Sequence, residues 1–226
     1  MAKNNAINNR SGQLTIDPGA SGDSFVQYAI NATDEWRVGC DDTDDSYRIS
    51  QGSALGTNDT FIATAAGEIT RPLTPAFLGY VASQDANVTG DNTLYLVGTN
   101  VAYTEIFDQG GDFTTAGVFT APVTGRYVLT GSVQILIPVA GGLYFTLVIV
   151  TSNRTFYGSN YPSRNNVVGL YGVSESLSPH IFCIADMDAA DTASLRIAAN
   201  TGAKTSDINA GSSSDLYTRF AGYLVV

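Results

Sequence analysis

One short segment in the middle of the chain restricts the possible folds more than any other feature. It reads Phe119-Thr-Ala-Pro-Val-Thr-Gly-Arg-Tyr127 and is followed directly by Val128-Leu-Thr-Gly-Ser-Val-Gln-Ile135. Pro122 and Gly125 favour a tight turn, because proline presets a turn dihedral angle and glycine accepts conformations closed to other residues. After the turn, large apolar residues occupy alternate positions, at Tyr127, Leu129, Val133 and Ile135. This period of two predicts a strand that enters the core of a β-sandwich.

Short strand-like stretches fill most of the remaining sequence, with turn-forming residues between them. The chain of 226 residues contains 23 glycines, 12 tyrosines and 10 phenylalanines, and only 14% of its residues are charged. Aromatic residues are enriched in strands, and glycine is enriched in turns. The composition therefore predicts an all-β protein, and the length allows one large or two small domains.

The central segment resembles the signature of C1q/TNF-like jelly-roll domains, in which a Phe-x-x-Pro-x-x-Gly-x-Tyr turn and strand lie mid-domain. The last residues, Thr218-Arg-Phe-Ala-Gly-Tyr-Leu-Val-Val226, resemble the closing strand of that family with its Phe-x-Gly-x-Leu pattern. The resemblance implies a jelly-roll sandwich over residues 71–226 that assembles as a homotrimer. The residues that it assigns to the core of the fold or the trimer are Phe119, Pro122, Gly125, Tyr127, Phe145, Phe220, Gly222 and Leu224.

The residues before this domain divide into two further parts. Residues 1–12 form an Asn-rich arm that we interpret as an N-terminal anchor, and residues 13–70 contain thin strand candidates without intervening helices. About sixty residues of such strands cannot enclose a core alone. We therefore expect this β-rich stalk module to bury its apolar residues against copies of itself. These residues are Phe25, Tyr28, Trp36, Phe61 and Ile62.

The stalk module also resembles a small β-rich repeat that precedes the distal domains of bacteriophage tail fibres. The resemblance is carried by Ser21-Gly-Asp-Ser-Phe25, Asp34-Glu-Trp-Arg-Val-Gly39 and Asp44-Asp-Ser-Tyr-Arg-Ile-Ser50. It implies a virion protein, made in the host cytoplasm, whose N-terminal region binds other capsid or tail proteins.

Net charge and hydropathy exclude two classes of partner. The formal net charge is −10, whereas proteins that grip nucleic acid concentrate Lys and Arg. No apolar run approaches the ~18 residues of a membrane span, so we expect no membrane insertion. Cys40 and Cys183 lie far apart in strand-like stretches, and we expect both to be buried free thiols rather than a disulfide.

Few residues suit catalysis. His180 is the only histidine, it follows Pro179 at the start of an apolar strand, and no Gly-x-Ser-x-Gly elbow accompanies it. Most carboxylates lie in predicted turns, where Asp is favoured for bonding its own backbone. We therefore predict a protein that is not an enzyme, and keep a glycan-cleaving tail enzyme, which would need two flanking carboxylates, as a distant alternative.

One acidic run, Asp41-Asp-Thr-Asp-Asp45, has the ligand chemistry that Ca²⁺ prefers. It lacks the central glycine and distal glutamate of an EF-hand loop, and a solvated turn is the simpler interpretation. We expect no other cofactor.

Two segments bear on how the strands are buried. Leu143 to Val150 is continuously apolar, which predicts burial on both faces, one of them against a neighbouring subunit. Asp186 to Ala199 has the alanines and acidic start of a helix. The family resemblance instead implies a turn at Asp188–Asp191 and then a strand with Leu195 and Ile197 alternating, which we prefer.

A binding surface is the more plausible seat of function. The region 151–178 combines tyrosines with amides and arginines, which suits recognition of a glycan or protein and equally suits a subunit contact. Our candidate ligand residues are Tyr157, Tyr161, Arg164 and Tyr171. The sequence thus predicts a trimeric phage fibre whose distal domain binds a host surface glycan or protein. The alternative is a capsid decoration or head-fibre protein with a structural role.

Overall fold

The computed structural model describes residues 15–19, 21–137, 144–158, 175–200 and 202–225. The chain divides into two compact units, Met1–Leu73 (unit 1) and Thr74–Val226 (unit 2). The division lies three residues beyond the boundary expected at residue 70. All secondary-structure elements among the described residues are β-strands, which confirms the all-β prediction.

Unit 1 contains one antiparallel sheet in which the strands follow one another in sequence order. Its first hairpin turns at Asn31 and Ala32, both with positive φ (52° and 63°), as the two-residue turns that match strand twist require. Thr15 and Ile16, expected at the end of a strand, lie outside any strand. The five strands are β1 (Ser24–Ile30), β2 (Thr33–Asp41), β3 (Ser46–Gln51), β4 (Asp59–Ala63) and β5 (Ile69–Thr70).

Unit 2 contains three sheets whose neighbouring strands are mostly distant in sequence. The strands are β6 (Ala76–Val81), β7 (Asp85–Thr89), β8 (Tyr95–Leu96), β9 (Tyr103–Gln109), β10 (Val118–Thr120), β11 (Gly125–Ser132), β12 (Ile135–Ile137), β13 (Tyr144–Thr151), β14 (Thr155–Tyr157), β15 (Glu175–Leu177), β16 (His180–Met187), β17 (Thr192–Asn200), β18 (Ser206–Ile208) and β19 (Arg219–Leu224). The first sheet has the order β16-β11-β19-β6-β9, so the first and last strands of the unit pair at its centre. The second has the order β10-β17-β13-β14 with β8 also on β17, and the third has the order β15-β12-β18-β7.

A stack of aromatic rings fills the core of unit 2. The Phe77 ring lies 4.5 Å from Phe113, 4.8 Å from Phe119 and 5.1 Å from Phe220, centroid to centroid. Gly222 makes room for this stack, because a Cβ there would lie 2.8 Å from the Phe77 ring and 2.7 Å from Leu129. The Phe-x-Gly-x-Leu pattern of the last strand is therefore a packing requirement of the sandwich.

The predicted central turn is present and closes on its own strand. The Tyr127 hydroxyl donates a hydrogen bond of 2.7 Å to the Val123 carbonyl, while the Tyr127 ring is fully buried. Pro122 is exposed at the tip, and a Cβ on Gly125 would lie 2.6 Å from Leu224. The segment from Asp186 to Ala199, which has features of a helix in sequence, contains the strand β17. The strand follows a turn in which the Asp191 amide donates to the Asp188 carbonyl at 3.0 Å.

Two burial expectations need correction. In β13 the side chain of Val148 is only 1% exposed within a single chain, although it lies on the opposite face of the strand from Leu147 and Ile149. This position therefore does not require the neighbouring subunit that we expected to cover it. Cys183 is buried as predicted, but Cys40 is exposed, because it lies on the uncovered face of the single-layer sheet of unit 1.

Candidate functional site

The predicted ligand residues are only partly placed by the structure. Tyr157, at the end of β14, is 71% exposed and available to a partner. Tyr161, Arg164 and Tyr171 lie outside the described residues. The recognition surface predicted from these four residues thus stays a prediction.

A different surface stands out on unit 2, on the side of its first sheet that faces away from the core. Along β16 burial alternates strictly, so that Ile181 and Cys183 point inward while Phe182 and Ile184 point outward. Phe182 is 76% exposed and Ile184 is 58% exposed. Large apolar side chains exposed singly are common on protein surfaces, whereas a cluster of them is informative.

The strand register shows that these side chains form one continuous patch. Ile184 pairs with Val128 of β11, which pairs in turn with Tyr223 of β19. In the adjacent row, Phe182 is joined through Thr130 and Ala221 to Leu78 of β6, which pairs with Phe107 of β9. We call this patch the outer sheet face; it consists of Leu78, Phe107, Val128, Phe182, Ile184 and Tyr223.

The outer sheet face crosses the sheet from one edge to the other. Phe182, Tyr223 and Phe107 are 76%, 52% and 47% exposed. With 150–250 Å² for each aromatic side chain, they leave on the order of 350 Å² in contact with water. Apolar patches of this size on a protein surface are typical of interaction sites. The face can therefore bind an apolar partner surface, whereas it offers nothing for catalysis.

The sequence analysis missed this face, although the sequence carries a signal for it. The run Ile181-Phe-Cys-Ile184 is apolar in both phases of the strand, like the Leu143–Val150 run in β13. Burial on both sides was inferred for β13, where one chain already covers Val148, and not for β16, where the outward phase is exposed. The two runs look alike in sequence, because an apolar residue on the outward side of a strand can be covered either by another sheet of the same chain or by another chain.

A small polar cleft of about 210 Å³ lies beside the edge of this sheet. Its polar groups already bind one another: Arg154 donates to both Asp186 oxygens, at 3.0 and 2.6 Å, and the Asn153 amide donates to Asp191 at 2.7 Å. The hydrogen bond from Arg154 lowers the pKa of Asp186. The cleft is thus an exposed ion-pair network; it is lined by Thr124, Gly125, Asn153, Asp186, Met187 and Asp188.

The acidic run of unit 1 does not gather as one calcium loop. Asp44 turns to Arg48, with an Oδ2 to Nη2 distance of 2.6 Å, and the Ser46 hydroxyl and Arg48 lower the pKa of Asp44. Asp41 and Asp42 instead approach Asp23, with ligand atoms within 4.8 Å of one another. Arg48 also contacts Asp41 at 3.1 Å. A guanidinium thus supplies part of the positive charge that a cation would supply, and calcium binding remains only an expectation.

Of the groups considered for catalysis, Asp108 binds the backbone of its own turn and His180 is exposed. His180 is exposed at the first position of β16, and its cross-strand neighbour Ser132 donates its hydroxyl to the Tyr217 carbonyl at 3.1 Å. Asp108 accepts hydrogen bonds from the backbone amides of Asp112 and Phe113, at 3.1 and 2.9 Å. These contacts hold turns and strand ends together, as the sequence analysis predicted for most of the carboxylates.

Among known proteins, the chain is similar to solved structures of a C1q globular domain and of APRIL. No protein-family model matches the sequence, and no curated protein matches it significantly. Among solved structures, the globular domain of zebrafish complement 1qA protein is 17% identical, with 67% of this chain and 98% of that chain covered and a TM-score of 0.41. Murine APRIL at pH 5.0 is 11% identical, with 67% and 99% covered and a TM-score of 0.43. No helix among the described residues is long and apolar enough to cross a membrane.

Proposed function

We propose that this protein is a non-enzymatic homotrimer whose second unit assembles through the outer sheet face and forms the head of a bacteriophage virion appendage. The observation that carries the proposal is Phe182, a phenylalanine exposed to 76% at one end of a patch that crosses the whole sheet. The threefold state follows from the resemblance of the 119–127 and 218–226 segments to C1q/TNF-like domains. The virion role follows from the resemblance of residues 13–70 to a tail-fibre module.

Burial of the outer sheet face explains why such a surface is stable only in an assembly. Transfer of a phenylalanine side chain from water to an apolar contact stabilises by about 2 kcal/mol. Several such side chains are needed to offset the loss of translational and rotational freedom on association. The patch supplies three aromatic and three aliphatic residues in register, and a chain of net charge −10 gains more from an uncharged contact than from a charged one.

The assembly is tested by the native mass in analytical ultracentrifugation at micromolar concentration. We expect a trimer for the natural chain and a monomer for Phe182→Asp, because the new carboxylate would lose its hydration on association. Leu94→Asp is the matched control, since this apolar side chain is 42% exposed and lies outside the outer sheet face. A monomeric natural chain, or equal dissociation of both variants, would contradict the proposal.

The head would bind a host surface glycan or protein through loops of unit 2, with three copies multiplying a weak contact. Purified trimer that blocks adsorption of the phage to its host supports this role. Trimer that rebinds stripped capsids and leaves adsorption unchanged supports capsid decoration instead. Release of reducing sugar from host envelope by the purified trimer would overturn the non-enzymatic assignment.

A further inference from the structure

The sheet of unit 1 has an apolar face that the described residues of unit 1 leave uncovered. The strand register places its residues in three rows across the sheet. The first row is Ser24, Cys40, Tyr47, Ala63 and Ile69. The second is Val26, Val38, Ile49 and Phe61, and the third is Tyr28, Trp36 and Gln51. We call these rows the unit 1 apolar face.

The opposite face of the same sheet is polar and internally paired. The Arg37 guanidinium lies 4.1 Å from the centre of the Phe25 ring, which rests on Gly39 because a Cβ there would lie 2.5 Å from the Phe25 Cα. Arg48 binds the carboxylates of Asp41 and Asp59. Phe25 and Ile62 lie on this opposite face, apart from Trp36, Tyr28 and Phe61, so the five residues expected to be buried against other copies do not share one face. The pleat puts the two groups on opposite faces, with Phe25 already covered by Arg37.

The unit 1 apolar face is both exposed and uncharged. Tyr28 is 58% exposed, Tyr47 44% and Trp36 38%, and Ile69 at the edge is 63% exposed. At 150–250 Å² per aromatic side chain, the three aromatics alone leave on the order of 300 Å² in water. None of the residues in the three rows, all within the described part of the chain, carries a carboxylate, ammonium or guanidinium group.

We propose that the unit 1 apolar face is a second self-association surface, covered by the same face of the other copies in the trimer. This inference rests on the proposed homotrimer. Two observations select another copy as the occupant. An uncharged face lets chains of net charge −10 meet without opposing like charges. Residues 1–14 of the same chain are mostly Asn and other polar types, which lack the apolar area to cover it.

The size of the face indicates that it depends on unit 2. Five strands at about 4.8 Å spacing and five residues at about 3.4 Å give a footprint on the order of 400 Å². A stable contact between two proteins buries roughly 800 Å² on each partner. The unit 1 contact alone is therefore too small to hold free chains together, and it forms alongside the contact between the outer sheet faces, because each contact raises the effective concentration for the other.

The face contains its own chemical probe. Cys40 is an exposed thiol in the first row, beside Tyr47 in register. The second cysteine, Cys183, is buried in unit 2, and burial raises its pKa to about 11, so it stays unreactive in the folded protein. The reaction of the native chain with a thiol reagent such as DTNB therefore reports on Cys40 alone, and Cys40→Ser confirms the assignment.

The test follows Cys40 reactivity together with the native mass. In the trimer we expect Cys40 to react at least about tenfold more slowly than in urea, because reagent reaches a covered thiol only through opening. Ile69→Lys is expected to restore fast reaction while the mass stays trimeric. Its neighbour Thr70→Lys, exposed on the opposite face, is the matched control and keeps Cys40 protected.

The outcomes separate this inference from the proposed trimer. A trimeric mass with freely reactive Cys40 in the natural chain overturns the inference and leaves the trimer intact. If the chain is monomeric at every concentration and Cys40 is still protected, the inference is also overturned, because residues of the same chain then cover the thiol. A monomer with freely reactive Cys40 contradicts both.

Discussion

Ala190 holds a backbone conformation that its side chain disfavours. Its φ is 75°, in the left-handed region, at the turn between β16 and β17. An L-residue is destabilised by about 1–2 kcal/mol in this conformation. Glycine is destabilised less, and part of that gain is offset because glycine makes the unfolded chain more flexible. Ala190→Gly is therefore expected to raise the free energy of unfolding by about 0.5 kcal/mol, measured by urea denaturation. Ala189→Gly, the exposed neighbour without positive φ, should lower it by a similar amount. The opposite order would contradict the strain.

Tyr103 carries the clearest electrostatic cost in unit 2. Its ring is buried, and its hydroxyl has no hydrogen-bond partner among the residues that the structure describes. Burial first, and the neighbouring Tyr95 second, raise the pKa of Tyr103. Removal of a buried unsatisfied hydroxyl saves about 1 kcal/mol, less the cost of a small void. We expect Tyr103→Phe to be at least as stable as the natural chain at neutral pH, with circular dichroism during heating as the measurement. Marked destabilisation would mean that the hydroxyl has a partner.

The same two tyrosines predict sensitivity to alkali. Burial, and a hydrogen bond to Asp85, raise the pKa of Tyr95 from 10.0 to about 12. The folded state therefore holds the tyrosine protons more tightly than the unfolded chain does. Their contribution is complete below pH 10 and declines above it, by about 1.4 kcal/mol per pH unit for each group still protonated. For Tyr95 the decline ends near pH 12. Between pH 9 and 11, the urea midpoint of Tyr103→Phe should fall less steeply than that of the natural chain. The midpoint of Tyr157→Phe, which lacks an exposed tyrosine, should fall as steeply as that of the natural chain.

At the scale of elements, the unit 1 sheet depends on one cation. Arg48 of β3 contacts Asp41 of β2 and Asp59 of β4, and all three side chains are at most 12% exposed. Arg48→Gln would leave two buried carboxylates uncompensated, which costs about 3 kcal/mol or more. We expect unit 1 to melt earlier, followed by the fluorescence of Trp36, the single tryptophan of the chain. Arg154→Gln removes an exposed pair and should cost less than about 1 kcal/mol. Equal effects would contradict the difference in burial.

Sequence patterns predicted elements well where one chain alone decides burial. Phe119, Tyr127 and Phe220 belong to the two motifs of unit 2 and lie in its core. The short strands β7 and β18 were not predicted, because Asp85–Thr89 and Ser206–Ile208 are mostly polar and pair through the backbone. Which face of a sheet is covered is a property of pairing register and partners. For that reason Cys40 was placed wrongly and the outer sheet face was missed.

At the scale of the whole molecule, the two units present the same physical problem in different degrees. Unit 2 has a closed core and one surplus apolar face, whereas unit 1 has a single layer of strands and no closed core among its described residues. A contact on the order of 400 Å² cannot sustain association by itself, but it adds stability once the copies are held together. We expect assembly to proceed from unit 2 to unit 1, because unit 2 has a closed core that can fold within a single chain.

This order can be tested with one variant in each face. Phe182→Asp, in unit 2, is expected to abolish the trimer and also expose Cys40, because the unit 1 contact is lost with the high effective concentration. Tyr47→Lys, in unit 1, should expose Cys40 and leave the trimer, because the outer sheet face stays intact. Sedimentation and thiol reactivity measured on the same samples would separate the two effects. If Tyr47→Lys dissociated the trimer while Phe182→Asp did not, unit 1 would be the primary interface and the order would be reversed.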